Sequence, residues 1–181
     1  MIIEYKIDKN DYLTHQLYIA SKSERIKKKR MKNKVVVPLI YAIFGLLLLW
    51  IDKLGMAIIF FAVGILWYFI YPIWEKRHYI KHYEGFIKEN YRDTVDRTAS
   101  LEFSNEYIIA KDSGSESKVL TKELKKIDEI STAIFVRLKT GQAFVLPKDK
   151  IKNIDLLIMK LKELAKFLDI EYNLEDNWKW K

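Results

Sequence analysis

Two long uncharged runs, separated by only two charged residues, constrain this chain more than any other feature of its sequence. Residues 35–51 and residues 54–74 contain no charged side chain, and only Asp52 and Lys53 lie between them. One helix through both runs would be about 60 Å long, twice the ~30 Å hydrocarbon core of a bilayer. Both runs are apolar on every side, which is atypical of a buried hairpin in a soluble protein. The sequence therefore predicts a two-helix transmembrane hairpin with a tight turn from Asp52 to Gly55.

The distribution of charge predicts how this hairpin is oriented. Residues 1–34 hold ten Lys or Arg against four Asp or Glu, whereas residues 96–181 hold sixteen against fifteen. The formal net charge of +8 therefore belongs mainly to the segment before the first span. Basic flanks stay in the cytoplasm, and charge placed there argues against nucleic acid as a partner. We expect a two-span protein of the cell membrane with both termini in the cytoplasm.

Basic and aromatic residues beside the spans are the predicted contacts with the membrane surface. A lysine or arginine near the surface attracts anionic lipid headgroups by about 1 kcal/mol, and Trp and Tyr accumulate at the interface. We therefore predict the lipid bilayer, with its anionic headgroups, as a partner. The predicted surface contacts are Arg25, Lys27, Lys28, Lys29, Arg30, Lys32, Lys34, Lys76 and Arg77. The predicted interfacial anchors are Trp50, Tyr71 and Trp74.

Helical patterns extend from both spans on the cytoplasmic side. A β-like run at residues 2–7 precedes a helical stripe from Asp11 to about Ser23, and this helix could continue into the first span because no Pro or Gly precedes Pro38. The second span could continue to about Tyr91. These patterns predict a strand and basic juxtamembrane helix over residues 1–34, the hairpin over residues 35–74, and a second juxtamembrane helix over residues 75–95.

A different pattern begins after Arg92 and predicts a soluble cytoplasmic domain over residues 96–181. Apolar and polar residues alternate, and turn-forming pairs such as Thr140-Gly141 separate the runs. From Lys148 to about Asp169 apolar residues recur at helical spacing, which predicts an amphipathic helix. The run at residues 2–7 could add a further strand. The predicted strands lie at about 98–103, 107–111, 116–121, 124–130, 134–138 and 142–146.

Six or seven short antiparallel strands followed by one amphipathic helix are the order of a pleckstrin-homology-like domain, and several short stretches are similar to those of a known family. These are Ile3-Glu4-Tyr5, Asp11-Tyr12-Leu13, Lys81-His82-Tyr83, Leu101-Glu102-Phe103, Lys139-Thr140-Gly141-Gln142-Ala143 and Leu146-Pro147-Lys148. With its two spans, the chain resembles the YcxB-like family of bacterial membrane proteins. The resemblance implies an α+β fold: a two-helix transmembrane hairpin with long cytoplasmic helical extensions, and a pleckstrin-homology-like antiparallel β domain closed by a C-terminal amphipathic helix. It implies no catalytic residue.

The sequence offers few groups for catalysis. It has no cysteine, and neither apolar run carries an ionisable side chain that could relay protons. Glu75, His78 and His82 lie at positions i, i+3 and i+7 of a predicted helix, and a carboxylate with two imidazoles could bind a transition metal. Alternatively, the three are solvated or headgroup-facing polar residues. We therefore expect a protein that is not an enzyme and carries no cofactor.

The function these features favour is that of a membrane-anchored, non-catalytic binding or scaffold protein, which presents its β domain at the cytoplasmic membrane surface. Two alternatives remain open: a self-immunity protein against a membrane-active bacteriocin, and an accessory subunit of a transporter. Candidate partners are another membrane protein and a second copy of the chain. Small residues of the spans would allow self-association, and would equally allow close packing within the hairpin. They are Gly45, Gly55, Ala57, Ala62 and Gly64.

Overall fold

The computed structural model describes residues 1–112 and 114–180. Over these residues the protein is α+β, with four α-helices and two four-stranded sheets. The helices are α1 (Lys9–Lys22), α2 (Glu24–Trp50), α3 (Leu54–Asn90) and α4 (Ile154–Leu168). The strands are β1 (Ile2–Lys6), β2 (Thr98–Phe103), β3 (Tyr107–Lys111), β4 (Glu116–Leu120), β5 (Leu124–Ile130), β6 (Ala133–Leu138), β7 (Ala143–Pro147) and β8 (Glu171–Glu175).

The chain divides into two compact units. Residues 1–15 and 84–179 form the first, called the β unit here, and residues 16–83 together with Trp180 form the second, called the helical unit. Each unit combines segments that are distant in sequence. The N-terminal strand belongs with the C-terminal strands, and the penultimate residue belongs with the helices.

The helices extend beyond the apolar runs. α3 continues to Asn90, which confirms the helical extension expected after the second span. The expectation of one continuous helix from Asp11 into the first span is wrong, because α1 ends at Lys22 and α2 begins at Glu24. Between them Ser23 is extended, and its hydroxyl accepts a hydrogen bond from the Ile26 N–H as the N-cap of α2.

α2 and α3 pack against each other in the helical unit. They are joined by a tight turn in which Asp52 has a left-handed φ of 58°. Gly45 and Gly64 are buried at the contact: a Cβ on Gly45 would lie 2.9 Å from the ring of Phe61, and a Cβ on Gly64 would lie 3.3 Å from the Cβ of Tyr41. The small residues at these two positions therefore pack within the hairpin and allow the helices to approach closely.

α2 and α3 are long and apolar enough to cross a membrane. Their most apolar 18-residue windows have mean hydropathies of 1.9 and 2.2. Only 6% of the first window and 17% of the second is buried within the structure, whereas the core helix of a soluble protein is mostly buried. Leu46, Ile65 and Phe69 are among the side chains that face outwards. The residues that the structure describes leave this apolar surface uncovered.

The β unit contains both sheets. The first has the order β1-β2-β3-β4 and is antiparallel throughout, with Ile3 opposite Leu101. This pairing confirms that the N-terminal run adds a strand to the sheet. The second sheet has the order β7-β6-β5-β8, in which β8 runs parallel to β5. Parallel neighbours need a long connection, which β6, β7 and α4 supply.

The strands predicted after Arg92 are confirmed to within one residue at each end. Two features of the C-terminal region differ from expectation. α4 begins at Ile154, because residues 148–150 form a 3-10 turn after Pro147 rather than the first turn of the α-helix. β8 lies outside the predicted strands, since its short sequence Glu-Tyr-Asn-Leu-Glu places only two apolar residues among acidic and amide ones.

One apolar core joins the two sheets to α4. Ile127, Ile134 and Leu146 from the second sheet, and Leu157 from α4, are fully buried in it. Leu101 brings the first sheet into the same cluster. Each fully buried side chain of this size contributes about 1.5–3 kcal/mol, so the sheets and the helix stabilise one another.

Candidate functional site at the base of the helix pair

The basic segment of α2 is exposed along most of its length. Arg25, Lys28, Lys29 and Lys32 are all exposed, as are Lys76 and Arg77 on α3. Lys27 is also exposed but lies 2.9 Å from the carboxylate of Glu24. Lys34 is half-buried, and its ammonium lies 4.2 Å from the ring centroid of Tyr68. Most of the predicted surface contacts are therefore available to a ligand.

Arg30 differs from its neighbours because it forms an ion pair across the two helices. Its Nε lies 2.8 Å from Glu75 Oε2, and the Tyr71 hydroxyl donates to Glu75 Oε1 over 2.9 Å. The Glu75 residue is only 5% exposed, so both carboxylate oxygens have partners in a buried setting. Removing one partner from such a pair leaves an uncompensated charge, which makes this pair a strong constraint on helix packing.

Trp180 packs onto the same pair. The Arg30 guanidinium lies 4.7 Å from the centroid of the Trp180 ring, and the Tyr79 ring lies 5.5 Å from it. Trp180 is 6% exposed although it is the penultimate residue of the chain. A cation stacked on an indole that is shielded from water is worth about 2 kcal/mol. The sequence did not indicate this contact, because 150 residues separate Arg30 from Trp180.

A groove of about 240 Å³ lies beside this pair, between α2 and α3. Its floor is formed by the buried Glu75 and Tyr71, whereas Lys29, His78 and His82 are exposed at its rim. The His78 ring stacks on Trp74, with centroids 5.2 Å apart and planes 13° apart. Asn33 and Tyr79 complete the lining. We call this feature the base groove.

The candidate metal ligands Glu75, His78 and His82 lie along the base groove, but their arrangement is not that of a metal centre. Glu75 is engaged by Arg30 and Tyr71, which occupy both of its oxygens. No group of three or more His, Asp or Glu residues within residues 1–112 and 114–180 is placed to hold a metal ion. Glu75 therefore acts in helix pairing, while His78 and His82 remain at the rim.

The three predicted interfacial anchors occupy different environments. Trp50 is 83% exposed beside the turn, and Trp74 is 55% exposed at the other end of the pair. Both can reach an interface. Tyr71 is only 5% exposed and points inward to Glu75, so its role in the structure is to bind the buried carboxylate rather than to face a headgroup.

The β unit contains a separate polar cluster that connects its second sheet. Asp128 is fully buried on β5 and is contacted by Lys126 at 3.1 Å, Arg137 of β6 at 3.0 Å and Asn173 of β8 at 3.0 Å. These contacts attach both neighbouring strands to β5. The cluster therefore specifies strand order, including the position of β8.

Glu129, the next residue on β5, makes a second set of contacts. Lys148 Nζ lies 2.6 Å from its carboxylate, and the Tyr172 hydroxyl also donates to it. Burial raises the pKa of Glu129, but the hydrogen bonds from Lys148 and Tyr172 outweigh burial and lower the pKa overall. Glu129 is therefore held ionised by its partners, which is a structural role.

His15, at the N-terminal end of the chain, lies against the second sheet. Its ring centroid is 5.1 Å from that of Phe135. Burial, with a smaller contribution from the charge of Arg137, lowers the pKa of His15 to about 4. The imidazole is therefore neutral at pH 7 and packs on an aromatic ring, which is a structural role.

Asp8 and Asp11 fix the start of α1 to the β unit. Asp8 Oδ1 accepts hydrogen bonds from the N–H groups of Asn10 and Asp11, as an N-cap does. Lys150 Nζ lies 2.6 Å from Asp8 Oδ2 and 2.5 Å from Asp11 Oδ2. The hydrogen bond from Lys150 lowers the pKa of Asp8, whereas burial raises that of Asp11. These contacts anchor the start of α1. They also account for the clustering of Asp8, Asp11 and Lys150 without a ligand.

Comparison with protein-family models, with curated proteins and with solved structures finds no match to this chain.

Proposed function

We propose that this chain is a membrane-anchored, non-catalytic binding or scaffold protein whose helical unit crosses the cell membrane twice. The observation that carries the proposal is the outward-facing apolar surface of α2 and α3, of which only 6% and 17% is buried in the most apolar windows. In water, an apolar surface of this size would bind another protein or another copy of the chain, whereas in a membrane the lipid covers it directly. The exposed basic residues of α2 support an orientation with that end in the cytoplasm.

We further propose that the β unit is a pleckstrin-homology-like domain of the YcxB-like type. This assignment is supported by the order of the elements: the antiparallel strands β1 to β4 are followed by β5 to β7 and then by α4, which packs on the core. In this interpretation the membrane hairpin is an insertion between β1 and β2, because those strands pair directly although α1, α2 and α3 lie between them in sequence. β8 would be an addition to the domain.

Membrane integration is tested by extraction of isolated membranes at high pH. An integral protein stays in the pellet after alkaline carbonate washing, and detergent releases it. Recovery of the chain in the carbonate supernatant would overturn the proposed anchoring.

Orientation is tested with single cysteines, for which the cysteine-free chain offers a clean background. Lys53→Cys lies in the turn between the helices, and Lys152→Cys lies on the β unit; both residues are exposed. A membrane-impermeant maleimide should label the first in intact cells and the second only after lysis. The opposite pattern would place the β domain outside the cell.

The scaffold role is tested by crosslinking in intact membranes followed by mass spectrometry. We expect crosslinks from exposed lysines of the β unit to a specific membrane-bound or cytoplasmic protein. Expression of the chain in a bacteriocin-sensitive host provides the contrasting measurement, because a scaffold leaves sensitivity unchanged. Protection of the host without any crosslinked partner would replace the scaffold proposal by immunity.

A further inference from the structure

We propose that the base groove binds the phosphate group of an anionic phospholipid of the cytoplasmic leaflet. The inference rests on the proposed membrane location of the helical unit, and it adds a defined site and a ligand class. The residues assigned to the phosphate are Lys29 and Asn33 on α2 and His78 and His82 on α3.

The floor of the groove does not repel an anion, although it contains a carboxylate. Glu75 Oε2 is paired with Arg30 Nε at 2.8 Å, and Oε1 accepts a hydrogen bond from Tyr71 at 2.9 Å. The charge of Glu75 is therefore balanced, and its acceptor oxygens are occupied. The pair also fixes the spacing of the two helices, so the groove exists before a ligand arrives.

The rim supplies exposed hydrogen-bond donors. Lys29 is exposed and forms no ion pair with a carboxylate in the part of the chain that the structure describes, unlike Lys27, which lies 2.9 Å from Glu24. His78 and His82 are exposed on the opposite side of the groove. Together with the Asn33 amide, which also hydrogen-bonds to Tyr71, the ammonium and the two imidazoles form a donor set around one cavity that is suited to phosphate oxygens.

The position of the groove favours a lipid as the source of the phosphate. Tyr71 and Trp74 lie in the last turn of the second apolar run, and Lys29 lies six residues, about 9 Å, before the first run. The groove therefore lies at the proposed boundary between hydrocarbon and headgroups. Trp74 is 55% exposed and stacks on His78, so one wall is apolar and suits the glycerol and upper acyl region of a lipid.

The test uses the purified full chain in a neutral detergent and measures the affinity of added phosphatidylglycerol by native mass spectrometry and by the rise in Tm. Phosphatidylcholine and inorganic phosphate are titrated in parallel arms. Lys29→Gln and His78→Gln remove rim donors, while Lys32→Gln is the matched control, because Lys32 is exposed on the same helix and is not part of the groove lining.

We expect Lys29→Gln to weaken phosphatidylglycerol binding by about tenfold, and His78→Gln by a few-fold, because each loses a hydrogen bond to a charged group. Lys32→Gln should weaken binding by less than about fivefold, the loss expected from one diffuse surface charge. All three variants replace exposed side chains, and their Tm without lipid should stay close to that of the wild type.

Two outcomes would overturn the inference. Equal losses for Lys29→Gln and Lys32→Gln would mean that only diffuse charge attracts the lipid. Stabilisation by inorganic phosphate that matches and competes with that by phosphatidylglycerol would make free phosphate the ligand. Both outcomes are distinct from failure of the proposed function, which would appear in the carbonate extraction whatever the result of the lipid titration.

Discussion

The two units of this protein differ in which side chains they bury: the β unit buries apolar side chains, whereas the helical unit exposes most of its own. In the β unit, aliphatic side chains such as Ile134 are fully buried, and charged side chains lie mainly outside. In the helical unit, Ile65 is 62% exposed, whereas Glu75 is 5% exposed. Water drives apolar side chains into a core whereas lipid does not, so this inversion is the pattern that the proposed membrane location of the helical unit predicts.

Each unit nevertheless contains a buried carboxylate with cationic and hydrogen-bonding partners. Asp128 connects three strands of one sheet, and Glu75 connects two helices. In both, a cationic side chain compensates a charge that burial would otherwise leave unpaired. Specific polar contacts therefore define the strand and helix neighbours in both units. The units differ in their apolar side chains, which are buried in the β unit and exposed in the helical unit.

The largest expected effect comes from removing the buried carboxylate of the β unit. Asp128→Ala should lower the free energy of unfolding by about 4 kcal/mol, because it leaves Lys126 and Arg137 without their shared anion. Hydrogen exchange of β5 and β8 amides in the full chain measures the change. Glu116→Ala is the control, since its pair with Lys111 is exposed and should contribute less than about 1 kcal/mol. Equal effects of the two changes would contradict a structural role for the Asp128 cluster.

A second prediction tests the inversion of apolar burial directly. Ile134→Ala should destabilise the β unit by about 3 kcal/mol, because it opens a cavity at a fully buried site. Ile65→Ala makes the same chemical change on the exposed face of α3 and should cost less than about 1 kcal/mol in detergent. Thermal unfolding of the two variants gives the comparison. A large loss for Ile65→Ala would mean that protein, rather than lipid, covers that face.

A third prediction concerns acid sensitivity of the β unit. The pKa of His15 is lowered to about 4 in the fold, whereas an unfolded histidine titrates near its usual value of 6.5. The unfolded state therefore binds the proton first as pH falls, so this contribution to stability is complete above pH 6.5 and is lost between pH 6.5 and 4. At pH 5 the loss should be about 2 kcal/mol. Urea unfolding at pH 7 and pH 5 measures it.

His15→Gln is the control for that pH series, because glutamine does not titrate. Its stability should change little between pH 7 and pH 5, even if the variant is less stable at both values. A pH dependence that persists in His15→Gln would assign the effect to the carboxylates of the β unit instead.

The smallest expected effect separates two glycines of the helix pair. Gly45→Ala should destabilise the full chain in detergent by about 1 kcal/mol, because its Cβ would lie 2.9 Å from the Phe61 ring. Gly55→Ala meets nothing within 4 Å and should be neutral or slightly stabilising, since alanine favours the helix. The difference in Tm between the two variants is the measurement. Destabilisation by both would indicate that Gly55 packs against a second copy of the chain.

Local pattern was sufficient for most of the fold. The uncharged runs predicted α2 and α3, since length and hydropathy are properties of a continuous segment. The period of two after Arg92 predicted β2 to β7, with turns such as Thr140-Gly141 between them. β8 was not predicted, because the contacts that hold it are made to another strand: it pairs with β5, and its side chains hydrogen-bond to Asp128 and Glu129.

The candidate site was predicted only in outline. The sequence identified a basic segment and the residues Glu75, His78 and His82, but it offered Glu75 only as a candidate metal ligand or a solvated residue, and it placed Arg30 at the membrane surface. The structure joins those two residues at 2.8 Å, over 45 positions of sequence. The sequence did contain a signal for this pair. Glu75 directly follows the second uncharged run and Arg30 precedes the first, so the two side chains would meet if the helices pack antiparallel.

By itself the sequence determined most of the helices and strands, which segments are apolar enough for lipid, and where positive charge accumulates. These properties depend on neighbours a few residues apart along the chain. Only the tertiary structure decided that β1 pairs with β2, that Trp180 packs onto Arg30, and that a groove lies beside Glu75. Such contacts join residues far apart in sequence, and their free energy depends on geometry that no local pattern encodes.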